Sequence, residues 1–173
     1  MVLPAGKTTL AQALADRYGL AVVSSDRVRK EMLGLDPQVH RPAAYEAGIY
    51  RPEVTERTYR ALADRAERLV GMGESVVVDA TFAGESQRAL FRTVADRTHT
   101  ATTWVRCRPP DDVVAERLRR RADRPDQLTD ADATVAARLE RHPAAWAGVL
   151  EVDTSRPMRQ GVDEVARAAG LAD

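Results

Sequence analysis

Short apolar runs alternate with segments of helical period along this chain, and that alternation constrains the fold more than any other feature. The strand-like runs lie at residues 20–23, 75–79, 101–107 and 149–152. Helices are predicted over 8–18, 24–32, 53–70, 85–96, 111–124, 131–142 and 162–169. Gly19, Gly34 and the Gly71–Gly73 pair are placed to stop three of them. Val76, Val77 and Val78 are β-branched, which favours a pleated surface, and they offer apolar side chains to both faces. Strands of that kind are covered on both sides, and strands separated by helices pair in parallel. The expectation is an α/β domain with a buried parallel sheet.

At 173 residues the chain suits a single domain over 1–173. Its 26 cationic side chains balance 26 carboxylates, which argues against binding extended nucleic acid by bulk electrostatics. No apolar run reaches the ~18 residues that span a bilayer, and no basic-then-apolar leader opens the chain. Cys107 is the sole cysteine, so an intrachain disulfide is excluded, and a reducing, cytoplasmic location is expected. No histidine lies near it in sequence, so a buried structural thiol is expected rather than a nucleophile.

The chemistry-bearing stretch is Pro4-Ala5-Gly6-Lys7-Thr8-Thr9, which runs straight into a helix. Glycine lets the backbone approach an anion closely, and successive N–H groups at a helix N-terminus carry partial positive charge. Lys7 can reach the β- and γ-phosphates of a nucleotide, and the Thr8 hydroxyl can ligate Mg²⁺. Lys7 and Lys30 are the only lysines in a chain that otherwise uses arginine, so a lysine here is less easily an accident. The full phosphate-loop pattern has a further glycine five residues earlier, where this chain has Met1. The strand that normally precedes such a loop is likewise expected to be missing or truncated before Leu3, and the loop reads one or two residues short.

Beyond the loop, Ser24, Ser25 and Asp26 follow the strand at 20–23 and offer N-cap chemistry. Ligands of open α/β sheets bind outside the carboxyl ends of the strands. Asp26 there can accept the proton of an attacking hydroxyl. Arg29, three residues on and on the same helical face, can hold an anionic group of the acceptor. Asp79 ends the valine run and is placed to hold Mg²⁺ directly or through water. Tyr45 and Tyr50, in the proline-rich stretch 34–52, are candidates for lining an acceptor pocket. Further on, Arg117, Arg121 and Arg124 share one face of the helix predicted over 111–124. Guanidinium groups there can stabilise charge on transferring phosphoryl oxygens, with Arg117 and Arg121 preferred. Residues of about 121–130, including Pro125, would form a lid.

Taken together, these residues resemble the P-loop kinases related to adenylate kinase, the group that includes AAA-type ATP-binding domains, zeta toxins and polynucleotide kinases. The resemblance rests on Gly6-Lys7-Thr8-Thr9, Ser24-Ser25-Asp26 with Arg29, the stretch from Gly48-Ile49-Tyr50 to Thr58-Tyr59, Val78-Asp79-Ala80-Thr81-Phe82, and Val152-Asp153-Thr154-Ser155. It covers the chain from Leu3 to about Val165. It implies a nucleoside-monophosphate-kinase-like fold with a five-stranded parallel sheet, helices on both faces and an Arg-rich lid. It also implies ATP and Mg²⁺ as cofactors, with adenine near the loop of Asp153 to Pro157, where Thr154 and Ser155 sit. From polynucleotide kinases it carries a catalytic-base role to Asp26 and an acceptor-phosphate contact to Arg29. Similar domains occur fused to aminoglycoside-phosphotransferase-like domains.

The expected activity is transfer of the γ-phosphoryl of ATP to a hydroxyl of a small acceptor. Two alternatives stand beside it: a non-catalytic ATP-binding module of a larger assembly, and a polynucleotide 5′-hydroxyl kinase. A structural domain that has lost ATP is the weakest option. Neither the acceptor nor the oligomeric state is legible in the sequence.

Overall fold

The computed structural model describes residues 5–36, 49–110, 113 and 148–171. In chain order these residues form α1 (Lys7–Tyr18), β1 (Ala21–Ser24), α2 (Ser25–Met32), α3 (Pro52–Gly71), β2 (Val76–Asp79), α4 (Glu85–Thr98), β3 (Val105–Cys107), β4 (Leu150–Val152) and α5 (Met158–Ala169). The chain divides into two compact units, one of residues 11–102 and one of residues 1–10 with 103–173. Pro4, Tyr45, Arg117, Arg121, Arg124, the expected lid and the residues before Ala5 lie outside the described residues.

In the unit of residues 11–102, β1 and β2 pair in parallel, with Ala21 opposite Val76 and Ser24 opposite Asp79. A parallel pair needs a long crossover, and α2 and α3 lie within it. Pro52 opens α3, where its missing N–H costs nothing and its fixed φ suits the first turn. The buried residues of α3 are Thr58, Tyr59, Leu62, Ala63 and Ala66, a stripe one helical face wide. Leu62 is fully buried, and the Thr58 hydroxyl donates to Val54 O at 2.7 Å, which satisfies it within that stripe. Phe91 and Val94 of α4 complete this core. At the surface, Arg65 meets Glu31 at 2.7 Å and Arg97 meets Glu67, pairs of small individual worth.

In the other unit, β3 pairs in parallel with β4, with Val105 opposite Leu150 and Cys107 opposite Val152. Val162, Val165 and Ala166 are the buried side chains of α5, and Val152 in β4 is almost fully buried. Gly161 permits that approach: a β-carbon there would lie 3.1 Å from Val152 Cγ1.

Several expectations need correction. The strand expected at 101–107 is reduced to its last three residues, because β4 supplies only three partners. The strands are less buried than their composition suggests: all four residues of β2 are half-buried and Val22 is 38% exposed. The five-stranded sheet is represented, among the described residues, by two parallel pairs. Cys107 is half-buried rather than buried. Ser24 sits at the N-cap of α2 but its side chain makes no capping hydrogen bond. The last helix begins at Met158, four residues early, because Pro157 sets its N-terminal boundary ahead of the apolar pattern. No helix of the described residues is long and apolar enough to cross a membrane.

Candidate functional site

The phosphate-loop candidate belongs to the unit of residues 1–10 and 103–173. Gly6 has φ +80°, a conformation that side chains with a β-carbon rarely adopt. A β-carbon at Gly6 would meet Thr154 Cβ at 3.0 Å and its Oγ1 at 3.2 Å. Thr154 is buried, and its hydroxyl donates to Ala5 O at 2.7 Å. The loop after β4 therefore packs beneath the turn ahead of α1 and fixes it. Leu10 N–H donates to Gly6 O at 2.9 Å, closing the first turn, and no carboxylate occupies that turn to neutralise the helix N-terminus. Lys7 is half-buried and Thr8 and Thr9 are exposed. A left-handed glycine, an uncompensated helix N-terminus and a lysine beside it fit a polyphosphate.

Thr154 and Ser155 have structural partners here. Thr154 holds Ala5, while the Ser155 amide and hydroxyl both donate to Asp153 Oδ1, at 2.8 and 2.6 Å. Leu10, Val152, Pro157, Met158 and Gly161 line a shallow depression beside them. The depression lies at the loop where adenine was expected and has no enclosed room.

The acceptor-side candidates belong to the other unit. Because Ser24 faces Asp79 in a parallel register, the segments carrying Asp26 and Asp79 leave from the same carboxyl edge of the β1–β2 pair. Asp26 is exposed on α2 and its carboxylate meets Lys30 Nζ at 2.9 Å, with Lys30 itself buried. Sequence spacing placed Arg29 on the same helical face as Asp26. The structure pairs Asp26 with Lys30, because Arg29 is engaged elsewhere: its guanidinium stacks on the Tyr50 ring at 4.5 Å. Arg29 is 6% exposed, and its Nε has no hydrogen-bond partner among the described residues. A buried guanidinium with an unused donor suits an anion.

Tyr59 was not singled out for a role by the sequence reading, yet it adjoins this edge. Its hydroxyl accepts the Phe82 N–H at 2.8 Å. Burial pushes its phenol up, the hydrogen bond from Phe82 pulls it down, and the charges of Arg29 and Asp79 act on it in opposite directions. Arg29 and Asp79 are thus both within electrostatic reach of one buried hydroxyl. No cluster of three or more His, Cys, Asp or Glu among the described residues could hold a metal ion.

The sequence matches an AAA domain family over residues 3–146. The chain belongs to this AAA domain family. An uncharacterized protein of Mycobacterium tuberculosis (strain H37Rv) is 32% identical over 159 residues, which are 92% of this chain and 31% of that protein. The chain therefore spans about a third of the length of the curated relatives it matches. Solved structures show the fold. A protein of Chloroflexus aurantiacus J-10-fl assigned as a kinase superposes with a TM-score of 0.67 at 21% identity, over 95% of this chain and 92% of that one. The APS kinase CysC of M. tuberculosis in complex with AMPPNP and APS gives 0.62 at 16%, over 96% and 91%. A gluconokinase of Sinorhizobium meliloti 1021 gives 0.60 at 19%, over 96% and 88%. The AAA domain described here thus has the α/β fold of P-loop kinases, a fold shared by that APS kinase and that gluconokinase.

Proposed function

We propose that this AAA domain transfers the γ-phosphoryl group of ATP to a hydroxyl of a small, anionic acceptor. The observation that carries the proposal is the Gly6 turn, left-handed, packed on Thr154 and opening directly into α1. The amides of this turn and the Lys7 ammonium would take the β- and γ-phosphates, with Pro4, Ala5 and Thr9 completing the loop. Thr8 and Asp79 would each offer an oxygen to Mg²⁺, which when bound neutralises charge developing on the phosphate oxygens. Asp26 takes the proton of the acceptor hydroxyl. That oxygen then bonds to the γ-phosphorus as the bridging P–O bond breaks, and ADP leaves with the electron pair. Arg29 holds the anionic part of the acceptor, with Tyr50 beneath its guanidinium. Arg117 and Arg121 would stabilise the transferring group. Thr154 and Ser155 act near adenine, the first by holding Ala5 in place.

The test is ATP-dependent mass shift across a library of hydroxyl compounds, followed by turnover of Asp26→Asn with the acceptor found. Loss of a general base lowers the rate by about 10²-fold or more. Full turnover in that variant would make Asp26 a structural residue of α2. A second reading, an ATP-responsive module without transfer, draws support from the chain spanning 31% of its curated relatives. It predicts ADP and ATP binding that Lys7→Ala abolishes, with no phosphorylated product from any acceptor.

A further inference from the structure

The segment after β2 contains a backbone conformation that its sequence does not favour. Phe82 has φ +49°, a left-handed conformation that is a true outlier for a bulky residue. Such conformations persist only where the surroundings over-determine them, and they concentrate at functional sites. Here the surroundings are a clamp on both sides of one peptide. The Phe82 N–H donates to the Tyr59 hydroxyl at 2.8 Å, and the Phe82 carbonyl accepts from Arg88 Nη1 at 2.8 Å. Arg88 also donates to Ala83 O at 3.3 Å and is held in turn by Glu85 at 2.7 Å. The Phe82 ring lies edge-on between Tyr59, at 5.5 Å, and Phe91, at 5.0 Å. Tyr59 and Arg88 are each about 5% exposed, so both polar anchors are shielded from competing water.

A clamp of two hydrogen bonds and two ring contacts is more than a surface turn requires. Its placement explains it: Asp79 ends β2 three residues before Phe82, and only Ala80 and Thr81 separate them. Fixing the Phe82 peptide fixes the direction in which the chain leaves the strand, and so the presentation of Asp79. We infer that Tyr59 and Arg88 are positioning residues, which hold Phe82 left-handed so that the Asp79–Thr81 segment keeps one geometry at the carboxyl edge of the β1–β2 pair. The functional half of this inference rests on the reading of Asp79 as a Mg²⁺ ligand. The clamp also accounts for the burial of Arg88, which the proposed chemistry does not otherwise use.

The experiment uses the whole chain as Tyr59→Phe, Arg88→Gln and Arg88→Lys, with two readouts. Amide hydrogen exchange reports the segment itself. Calorimetric titration with ADP, with and without Mg²⁺, reports the metal-dependent part of nucleotide affinity. Tyr59→Phe is expected to speed exchange at Thr81 and Phe82 by about tenfold or more, with the β1 and β2 amides unchanged, as a local opening does. It should also weaken ADP binding in Mg²⁺ by about tenfold, the size of a lost supporting contact at a metal site, while metal-free affinity stays at the wild-type value. Arg88→Gln should act alike, and Arg88→Lys, which keeps a charged donor, should recover part of the loss. If Arg88→Gln fails to fold, Tyr59→Phe, which removes a single oxygen, carries the test. Wild-type exchange at Thr81 and Phe82 in Tyr59→Phe overturns the inference. So does faster exchange with the Mg²⁺-dependent affinity intact. If wild-type protein binds ADP no more tightly with Mg²⁺, it is the role of Asp79 that fails, and the inference falls with it.

Discussion

Gly6→Ala isolates the turn on which the proposed function depends, because three effects of known sign meet at one atom. Holding a β-carbon in the left-handed region costs about 1–2 kcal/mol. The added methyl would stand 3.0 Å from Thr154 Cβ and 3.2 Å from its Cγ2 and Oγ1, tighter than most real contacts of a β-carbon. Thr154 must give by a few tenths of an ångström, which strains its 2.7 Å hydrogen bond to Ala5 O, at a cost of up to about 1 kcal/mol. Alanine also restricts the unfolded chain, which returns about 0.4–1 kcal/mol. The net destabilisation is about 2 kcal/mol, measured as a lower urea midpoint with an unchanged slope. ADP affinity should fall further, since the displaced amides are those that would face phosphate. Thr154→Ala supplies the internal control. It costs about 1 kcal/mol alone, and because it removes the hydrogen bond and two of the three atoms that the new methyl strikes, Cγ2 and Oγ1, the double variant should fall short of the sum by about 1 kcal/mol. A Gly6→Ala protein within about 0.5 kcal/mol of wild type, the range of ordinary surface changes, and binding ADP undiminished would refute the argument. The turn would then be neither held by Thr154 nor in need of glycine.

Two further outcomes follow from the unit of residues 11–102. Leu62, fully buried on α3, should cost about 2–5 kcal/mol of unfolding free energy when changed to alanine, read by urea titration. The Arg65 hydrogen bond holds the Glu31 carboxyl below its ordinary value. A lowered carboxylate contributes stability above its unfolded pKa, near 4.5, and that contribution is lost as pH falls. Glu31→Gln should therefore be less stable than wild type at pH 7 by no more than about 0.5 kcal/mol, because the pair is part-exposed. The gap should close toward pH 3 and in high salt.

The elements whose local chemistry and burial agree were legible in the sequence. The valines of β2 and the amphipathic stripe of α3 specify their structure within a residue or two at each end. Where pairing decides, composition misleads: residues 101–104 have strand-like chemistry, but β4 offers partners only from Leu150 to Val152. The candidate site divides in the same way. Gly6, Lys7, Asp26 and Asp79 announce themselves through spacing and position after strands. That Arg29 stacks on Tyr50 while Asp26 meets Lys30 follows from the place of the Tyr50 ring, which no spacing rule locates. Tyr59 and Arg88 were hidden for a related reason. Their role depends on a left-handed phenylalanine, and nothing in the string Thr81-Phe82-Ala83 signals one. Arg88 is also one arginine among many in a chain whose 26 cations include only two lysines.

The β3–β4 register has a consequence for how this family can diversify. Leu150 lies beside Val105 and Cys107 beside Val152, so the ladder holds in place both strands that bound the connection from Cys107 to Leu150. The entropy of closing such a connection grows only with the logarithm of its length, about 0.6 kcal/mol for each doubling. Residues can be inserted or removed there at little thermodynamic penalty while the ladder stays in register. Changes in the length of that connection therefore need not disturb the ladder, or the Thr154 contact beyond it that holds the turn at Gly6.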